Sequence, residues 1–170
     1  GTMTIEDVPV KELFSRIADR HGPAIRNRRI TLDVQVQPPE LTGRADGQRL
    51  EQALQNLAAN ALRHTPEGGR LSLAAEATPE GTRLIVRDNG PGIPPEHLPH
   101  IFERFYKADA ARSATKMSGS GLGLSIVQAI VERHGGRIAA SNAPEGGAVF
   151  EITIPEISVP PTGSPTPTSD

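Results

Sequence analysis

The sequence contains no cysteine and no tryptophan, and it has only one tyrosine, four phenylalanines and three lysines among 170 residues. The absence of cysteine excludes disulfides and thiolate metal sites, and the scarcity of aromatic residues requires an aliphatic core. No apolar run approaches the length of a membrane span, and no signal peptide is recognisable. The net charge of −2 gives no electrostatic case for binding nucleic acid or a membrane surface. We therefore expect neither partner for this chain.

Periodicity predicts one domain of alternating helices and strands. The predicted helices cover residues 10–28, 47–63 and about 121–134, and the predicted strands cover 30–36, 71–77, 82–88, 137–141 and 148–154, with a short edge strand at 41–44. Because the strands come in hairpin pairs with helices in between, the pattern indicates an α+β sandwich and not a doubly wound sheet. Residues 1–9 are expected to be a linker, 10–155 the domain, and 156–170 a disordered tail rich in Pro, Ser and Thr.

The stretch QALQNLAANALRHT places Asn56, Asn60 and His64 four residues apart. At about 100° per residue they form one stripe of the predicted helix, beside its apolar arc. Such amides can cap or bridge neighbouring loops. Alternatively, an Asn carbonyl oxygen can ligate a hard cation such as Mg²⁺, which prefers oxygen ligands.

The stretch LIVRDNGPGIP ends a predicted strand, and Asp88 shares the face of Leu84 and Val86. The alternation therefore predicts a carboxylate that points into the core, where it needs hydrogen-bond donors. Asp-Asn-Gly is also common hairpin-turn chemistry, although no matching strand follows it. A buried acceptor beside two glycines suits a flat heterocycle with an exocyclic amine.

The stretch GSGLGLSIVQAIVERHGG is a glycine-rich segment that opens an apolar helix. The free N–H groups and the positive end of such a helix favour a bound anion. A P-loop is excluded because no lysine follows a glycine, and the Rossmann spacing GxGxxG is absent. The other interpretation is a flexible hinge before a buried helix.

In this order, the Asn-rich helix, DNGPGI, IFERFYKAD and GSGLGLSIVQAIVERHGG resemble the N, G1, F and G2 boxes of the catalytic ATP-binding domain of bacterial sensor histidine kinases. The resemblance covers roughly residues 4–155. It implies the Bergerat fold shared by gyrase, mismatch-repair, chaperone and histidine kinase ATPases, an α+β two-layer sandwich with a mixed, mostly antiparallel sheet of about five strands on about three helices. ATP should lie between the helices and the sheet under a flexible lid, here about residues 94–120.

The resemblance also implies a role for each matching residue. Asp88 should accept from the adenine amino group, Asn60 should ligate Mg²⁺, and Phe102 and Phe105 should anchor the lid to the core. The implied ATP-binding residues are Asn56, Asn60, His64, Asp88, Gly90, Gly92, Ile93, Tyr106, Lys107, Gly119, Gly121, Leu122, Gly123 and Leu124, with Asn56 and Lys107 in catalysis.

Asn56 occupies the position where hydrolysing relatives carry a Glu that acts as general base on water. An amide cannot take a proton at neutral pH, so the resemblance predicts slow hydrolysis and ATP held for transfer to another nucleophile. In the family that nucleophile is a histidine on a separate dimerisation domain, and a response regulator acts downstream. None of the five histidines here has the family's phosphoacceptor context, a His followed by an acidic residue, a hydrophobic residue, a basic residue and Pro.

Two other functions are compatible with the same motifs. One is a Bergerat-type serine protein kinase of the anti-sigma-factor kind, and the other is a non-catalytic nucleotide-binding module. The long F box and the paired glycines that follow it favour the histidine kinase. The resemblance also implies a cytoplasmic location, with a parent protein anchored in the bacterial inner membrane.

Overall fold

The computed structural model describes residues 1–106 and 123–156. Within these ranges it contains three α-helices and seven β-strands. The helices are α1 Val10–Asn27, α2 Gly47–His64 and α3 Gly123–Arg133, and the strands are β1 Ile5–Pro9, β2 Thr31–Gln37, β3 Thr42–Asp46, β4 Arg70–Thr78, β5 Gly81–Asp88, β6 Arg137–Asn142 and β7 Ala148–Ile154. A short 3₁₀ turn covers Leu98–His100.

Five strands form one sheet in the order β2-β4-β5-β7-β6. β2 runs parallel to β4, and every other neighbouring pair is antiparallel. The register pairs Leu84 with Ile152 and Val86 with Phe150, and all four side chains are buried on the face that carries the helices. The predicted α+β sandwich with a mixed, mostly antiparallel five-stranded sheet is therefore confirmed.

The helices follow the predicted apolar periodicity. Leu50, Leu54 and Leu57 are fully buried along α2, and Asp46 caps the helix by accepting a hydrogen bond from the backbone N–H of Arg49 at 3.2 Å. α1 continues through Pro23, which lies inside the helix. None of the helices in the described ranges combines the length and the apolar character needed to cross a membrane.

The buried side chain of His134 joins two of the helices. Its Nδ1 donates to the carbonyl oxygen of Ile130 at 2.7 Å, and its Nε2 accepts from the backbone N–H of Asp46 at 3.0 Å. Because a carbonyl oxygen can only accept and an N–H can only donate, the two partners fix the neutral tautomer with hydrogen on Nδ1. The end of α3 is thereby tied to the start of α2.

The structure differs from the expectation that residues 1–9 are a linker. Ile5–Pro9 forms β1, which pairs antiparallel with β3 in a separate two-stranded sheet. Val8 in β1 and Ala45 in β3 are both buried against the core. A five-residue strand with one fully buried apolar position has too short a pattern to be distinguished from a linker by its sequence.

Candidate functional site

Asp88 is a buried carboxylate at the end of β5, with a relative exposure of 2%. Its Oδ1 accepts from the backbone N–H of Gly90 at 2.8 Å and from that of Ala148 at 3.2 Å. Its Oδ2 is buried and has no hydrogen-bond partner among the described residues. Buried carboxylate oxygens are normally paired, so this oxygen fits a donor supplied by a ligand, such as an exocyclic amine. The predicted inward orientation of Asp88 is confirmed.

The loop that follows Asp88 packs directly against the end of α2. A Cβ atom built on Gly90 would lie 2.1 Å from the carbonyl oxygen of His64. No side chain fits at that distance, so glycine is required for the two segments to approach. This contact brings the Asp88 loop and the polar stripe of α2 to the same end of the molecule.

The polar stripe of α2 consists of Asn56, Asn60 and His64, which are all partly buried. The Nδ1 of His64 lies 2.9 Å from the carbonyl oxygen of Asn60 and donates to it. The side-chain oxygen of Asn60 accepts from the guanidinium of Arg63 at 2.9 Å. The oxygen predicted to ligate a cation is therefore already in contact with a cationic group. In the described ranges, no cluster of three or more His, Cys, Asp or Glu side chains could hold a metal ion.

The segment before residue 107 only partly matches its predicted roles. Phe102 packs edge-to-face on buried Phe150, with 6.3 Å between ring centroids, as expected of an anchor. Phe105 is 63% exposed, so its predicted anchoring role is wrong. Its backbone lies in the left-handed region with a φ of 64°, and the guanidinium of Arg104 lies over the ring. Tyr106 contacts the Nδ1 of His97 through its hydroxyl group and stacks on His100.

The start of α3 is the part of the predicted anion site that the structure describes. Gly123 begins the helix, and a Cβ atom built on it would meet no atom of the described residues within 4 Å; Leu124 packs partly against the core. The first backbone N–H groups of a helix have no partner within that helix, and for this reason a helix start favours an anion. Lys107, Gly119, Gly121 and Leu122, also predicted to bind ATP, lie outside the described residues.

Asn142 is a residue of this region that the sequence analysis missed. It ends β6, and its side chain makes two hydrogen bonds to the backbone of Ile93, on the far side of the Asp88 loop. The two residues are 49 positions apart, so no local pattern signals the contact. An Asn at a strand end is by itself ordinary turn chemistry.

A groove of about 390 Å³ lies beside the edge strand β2 and shares no residue with this site. It is lined by Lys11, Val34, Gln35, Val36, Gln37 and Pro39. The unpartnered carboxylate oxygen and the polar stripe of α2 therefore define the candidate site.

Residues 45–158 match the family described as the histidine kinase-, DNA gyrase B- and HSP90-like ATPases. This range includes α2, the Asp88 loop and α3, which are the elements that carry the candidate site. The chain belongs to this family of ATPases. Its ATPase-family membership implies ATP binding, and the buried acceptor of Asp88 is compatible with the adenine amino group.

Similar proteins place the domain within the histidine kinases. The signal transduction histidine-protein kinase AfsQ2 of Streptomyces coelicolor is 51% identical over 118 residues, which cover 69% of this chain and 21% of AfsQ2. The catalytic domain of histidine kinase ThkA superposes with a TM-score of 0.80 at 32% identity, covering 91% of this chain and 97% of that domain. The domain is therefore a catalytic ATP-binding domain of the histidine kinase type.

Two further structures show such domains with ligands or partners. Full-length ShkA, solved in complex with AMPPNP, matches with a TM-score of 0.80 at 31% identity, covering 94% of this chain and 32% of ShkA. ThkA is also solved in complex with the response regulator protein TrrA. The chain spans 15% to 33% of the length of curated relatives of this kind.

Proposed function

We propose that this domain binds Mg-ATP between α2 and the Asp88 loop, and that it donates the γ-phosphoryl group to a histidine on a separate dimerisation domain of its parent protein. The reaction would belong to two-component signalling, with a response regulator as the next phosphoryl acceptor. The single observation that carries the proposal is the buried Oδ2 of Asp88, which has no partner in the described part of the chain.

Each half of the nucleotide has a place in this arrangement. Asp88 accepts from the exocyclic amine of the base, and Gly90 lets the backbone approach the ring. The N–H groups at the start of α3 face the phosphates, together with Asn56 and His64 on α2. Asn60 is the Mg²⁺ ligand that this chain supplies, and the metal, when bound, neutralises charge on the phosphates and orients them for transfer.

The residue pattern favours transfer to a protein nucleophile over attack by water. Asn56 cannot act as a general base, because an amide does not take up a proton at neutral pH. Phosphoryl transfer depends mainly on positioning and on charge neutralisation, which this domain can supply without a base of its own. The five histidines in the chain lack the phosphoacceptor context, so the acceptor must be on another domain. The proposed location is cytoplasmic, with the parent anchored in the inner membrane.

A calorimetric titration of the 170-residue chain with a non-hydrolysable ATP analogue, with and without Mg²⁺, tests the proposal. We expect saturable binding that Mg²⁺ strengthens, and no radiolabel on the chain after incubation with γ-labelled ATP. Absence of binding at millimolar analogue contradicts the proposal. Labelling of the chain alone would place the acceptor inside this domain and contradict the role of a separate histidine.

A further inference from the structure

Asn142 pairs with one backbone residue through both atoms of its amide. Its Oδ1 accepts from the N–H of Ile93 at 2.8 Å, and its Nδ2 donates to the carbonyl oxygen of Ile93 at 2.8 Å. We call this pair the Asn142–Ile93 clamp. Its two hydrogen bonds resemble those between paired residues of neighbouring strands, with the side-chain amide in place of one backbone. Because both atoms have partners of opposite kind, the orientation of the amide is fixed.

The clamp holds the far end of the loop that carries Asp88. At the near end, the N–H of Gly90 donates to Asp88, and the side-chain oxygen of Asn89 accepts from the backbone N–H of Arg70 at 2.8 Å. Gly92 lies between these points with a φ of 81°. A Cβ atom on Gly92 would lie 2.8 Å from the Oδ1 of Asn142, so the missing side chain makes room for the clamp.

The turn that follows Asn142 is tied to the same loop. The N–H of Ala143 donates to the carbonyl oxygen of Gly147 at 2.9 Å, and the carboxylate of Glu145 pairs with the guanidinium of Arg87 in β5. Ala148, which follows Gly147 and begins β7, donates its N–H to the carboxylate of Asp88. The turn between β6 and β7 is therefore bonded near the start of the loop, while Asn142 bonds its end.

We propose that Asn142 is a positioning residue for the nucleotide base. It acts through the loop and not by touching the ligand: it orders Ile93 and Gly92, so that the backbone beside Asp88 is already shaped for a flat ring. Ordering a loop before binding removes part of the entropy cost that the ligand would otherwise have to offset. This inference rests on the proposed nucleotide site and names a residue that determines its affinity.

The affinity of three variants for ADP in the absence of Mg²⁺ tests the inference. Asn142→Ala removes both hydrogen bonds, and we expect about tenfold weaker binding. Asn142→Asp keeps the size and the acceptor but loses the donor and sets a negative charge against the carbonyl oxygen of Ile93, so we expect it to bind more weakly than Asn142→Ala. The matched control is Ser141→Ala at the exposed neighbouring position, which should bind as the wild type does.

The order of the variants separates positioning from packing. If Asn142 only filled space, the nearly isosteric Asp would be harmless and Ala would be the worse substitution. Wild-type affinity in both Asn142 variants, or Asp binding better than Ala, overturns the inference. The melting temperature should stay close to that of the wild type, because Asn142 is exposed.

Hydrogen exchange of the nucleotide-free protein gives a second readout that does not need ligand. The amide of Ile93 should exchange faster in Asn142→Ala and Asn142→Asp than in the wild type or in Ser141→Ala. An unchanged exchange rate contradicts the clamp itself. If the Asn142 variants exchange faster but the wild-type protein itself binds no ADP, the clamp exists and the failure lies in the proposed nucleotide site.

Discussion

The two halves of the candidate site are built in different ways. In the base half, Asp88 is buried at a strand end and its Oδ1 is held by two backbone N–H groups. In the metal half, His64 donates to the carbonyl oxygen of Asn60 and Arg63 donates to its side-chain oxygen, and both of these contacts lie within α2. The base half is thus fixed by contacts between distant segments, whereas the metal half depends on one helix face.

This difference indicates the order in which the two halves become able to bind the nucleotide and its metal ion. The free oxygen of Asp88 needs only a donor, so the base half is ready before ligand arrives. The side-chain oxygen of Asn60 already accepts from Arg63, and a metal ion must replace that contact. We therefore expect the base half to bind without metal, and the metal half to act only once phosphates are present to complete the coordination of Mg²⁺.

The largest expected effect comes from breaking the base half with Asp88→Asn. One atom of the new amide becomes a donor that faces the donor amine of the base, and the charge that strengthened the hydrogen bond is lost. We expect the affinity for ADP to fall about a hundredfold, equivalent to about 2.7 kcal/mol, by the same factor with and without Mg²⁺. Titration calorimetry measures both conditions.

Asp33→Asn is the matched control for this substitution. Asp33 is a half-exposed carboxylate of β2 that pairs with Arg70, so the same chemical change there should leave ADP affinity unchanged. A folded Asp88→Asn protein that binds ADP as tightly as the wild type would remove the adenine role of Asp88.

A smaller effect, confined to one condition, is expected from Asn60→Ala in the metal half. The substitution removes the proposed Mg²⁺ ligand but leaves the base half intact. Affinity for the ATP analogue should fall about tenfold in the presence of Mg²⁺ and change less than about twofold in its absence. The comparison predicts this dependence on metal, which Asp88→Asn should not show.

Gln52→Ala controls for changes to the helix itself, since Gln52 is exposed on α2 and lies two turns before Asn60. It should bind the analogue as the wild type does in both conditions. Equal loss for Asn60→Ala with and without Mg²⁺ would show that Asn60 serves the nucleotide directly and that the two halves are not separable.

The same contrast explains how much of the site could be predicted from sequence. The inward direction of Asp88 continues the period of two set by Leu84 and Val86, and the stripe of α2 follows from four-residue spacing. Both patterns are local, and both are confirmed. The Asn142–Ile93 clamp joins residues 49 positions apart. A contact between one polar side chain and one distant backbone segment leaves no periodic pattern in the sequence.

Two other features were beyond sequence reasoning for related reasons. β1 is recognisable only from its pairing with β3, because five residues are too few to establish a strand period. The resemblance implied that Phe105 anchors the lid to the core, but the ring is exposed and its backbone has a left-handed conformation that residue type does not signal. Tertiary context overrides residue preference in both cases.

The smallest expected effect concerns the support of the metal half, at the start of α2. The pKa of Asp46 lies below its ordinary value of 3.8, chiefly because the backbone N–H of Thr4 donates to its carboxylate, with a further contribution from the N–H of Arg49. The folded protein therefore holds this proton less tightly than the unfolded chain does. The stability that the ionised carboxylate contributes is complete above about pH 4 and is lost as the pH falls through the lowered pKa.

Asp46→Asn keeps a capping oxygen but cannot ionise, so it isolates this contribution. At pH 7 the variant should be less stable by at most about 1 kcal/mol, because Asn and Asp are similar N-caps. Thermal unfolding between pH 7 and pH 3 should show the wild type losing its advantage below about pH 4, while Asp19→Asn at an exposed position of α1 follows the wild type. Parallel curves for wild type and Asp46→Asn would contradict the assignment. ADP affinity without Mg²⁺ should be unchanged at pH 7, because the base half does not depend on this cap.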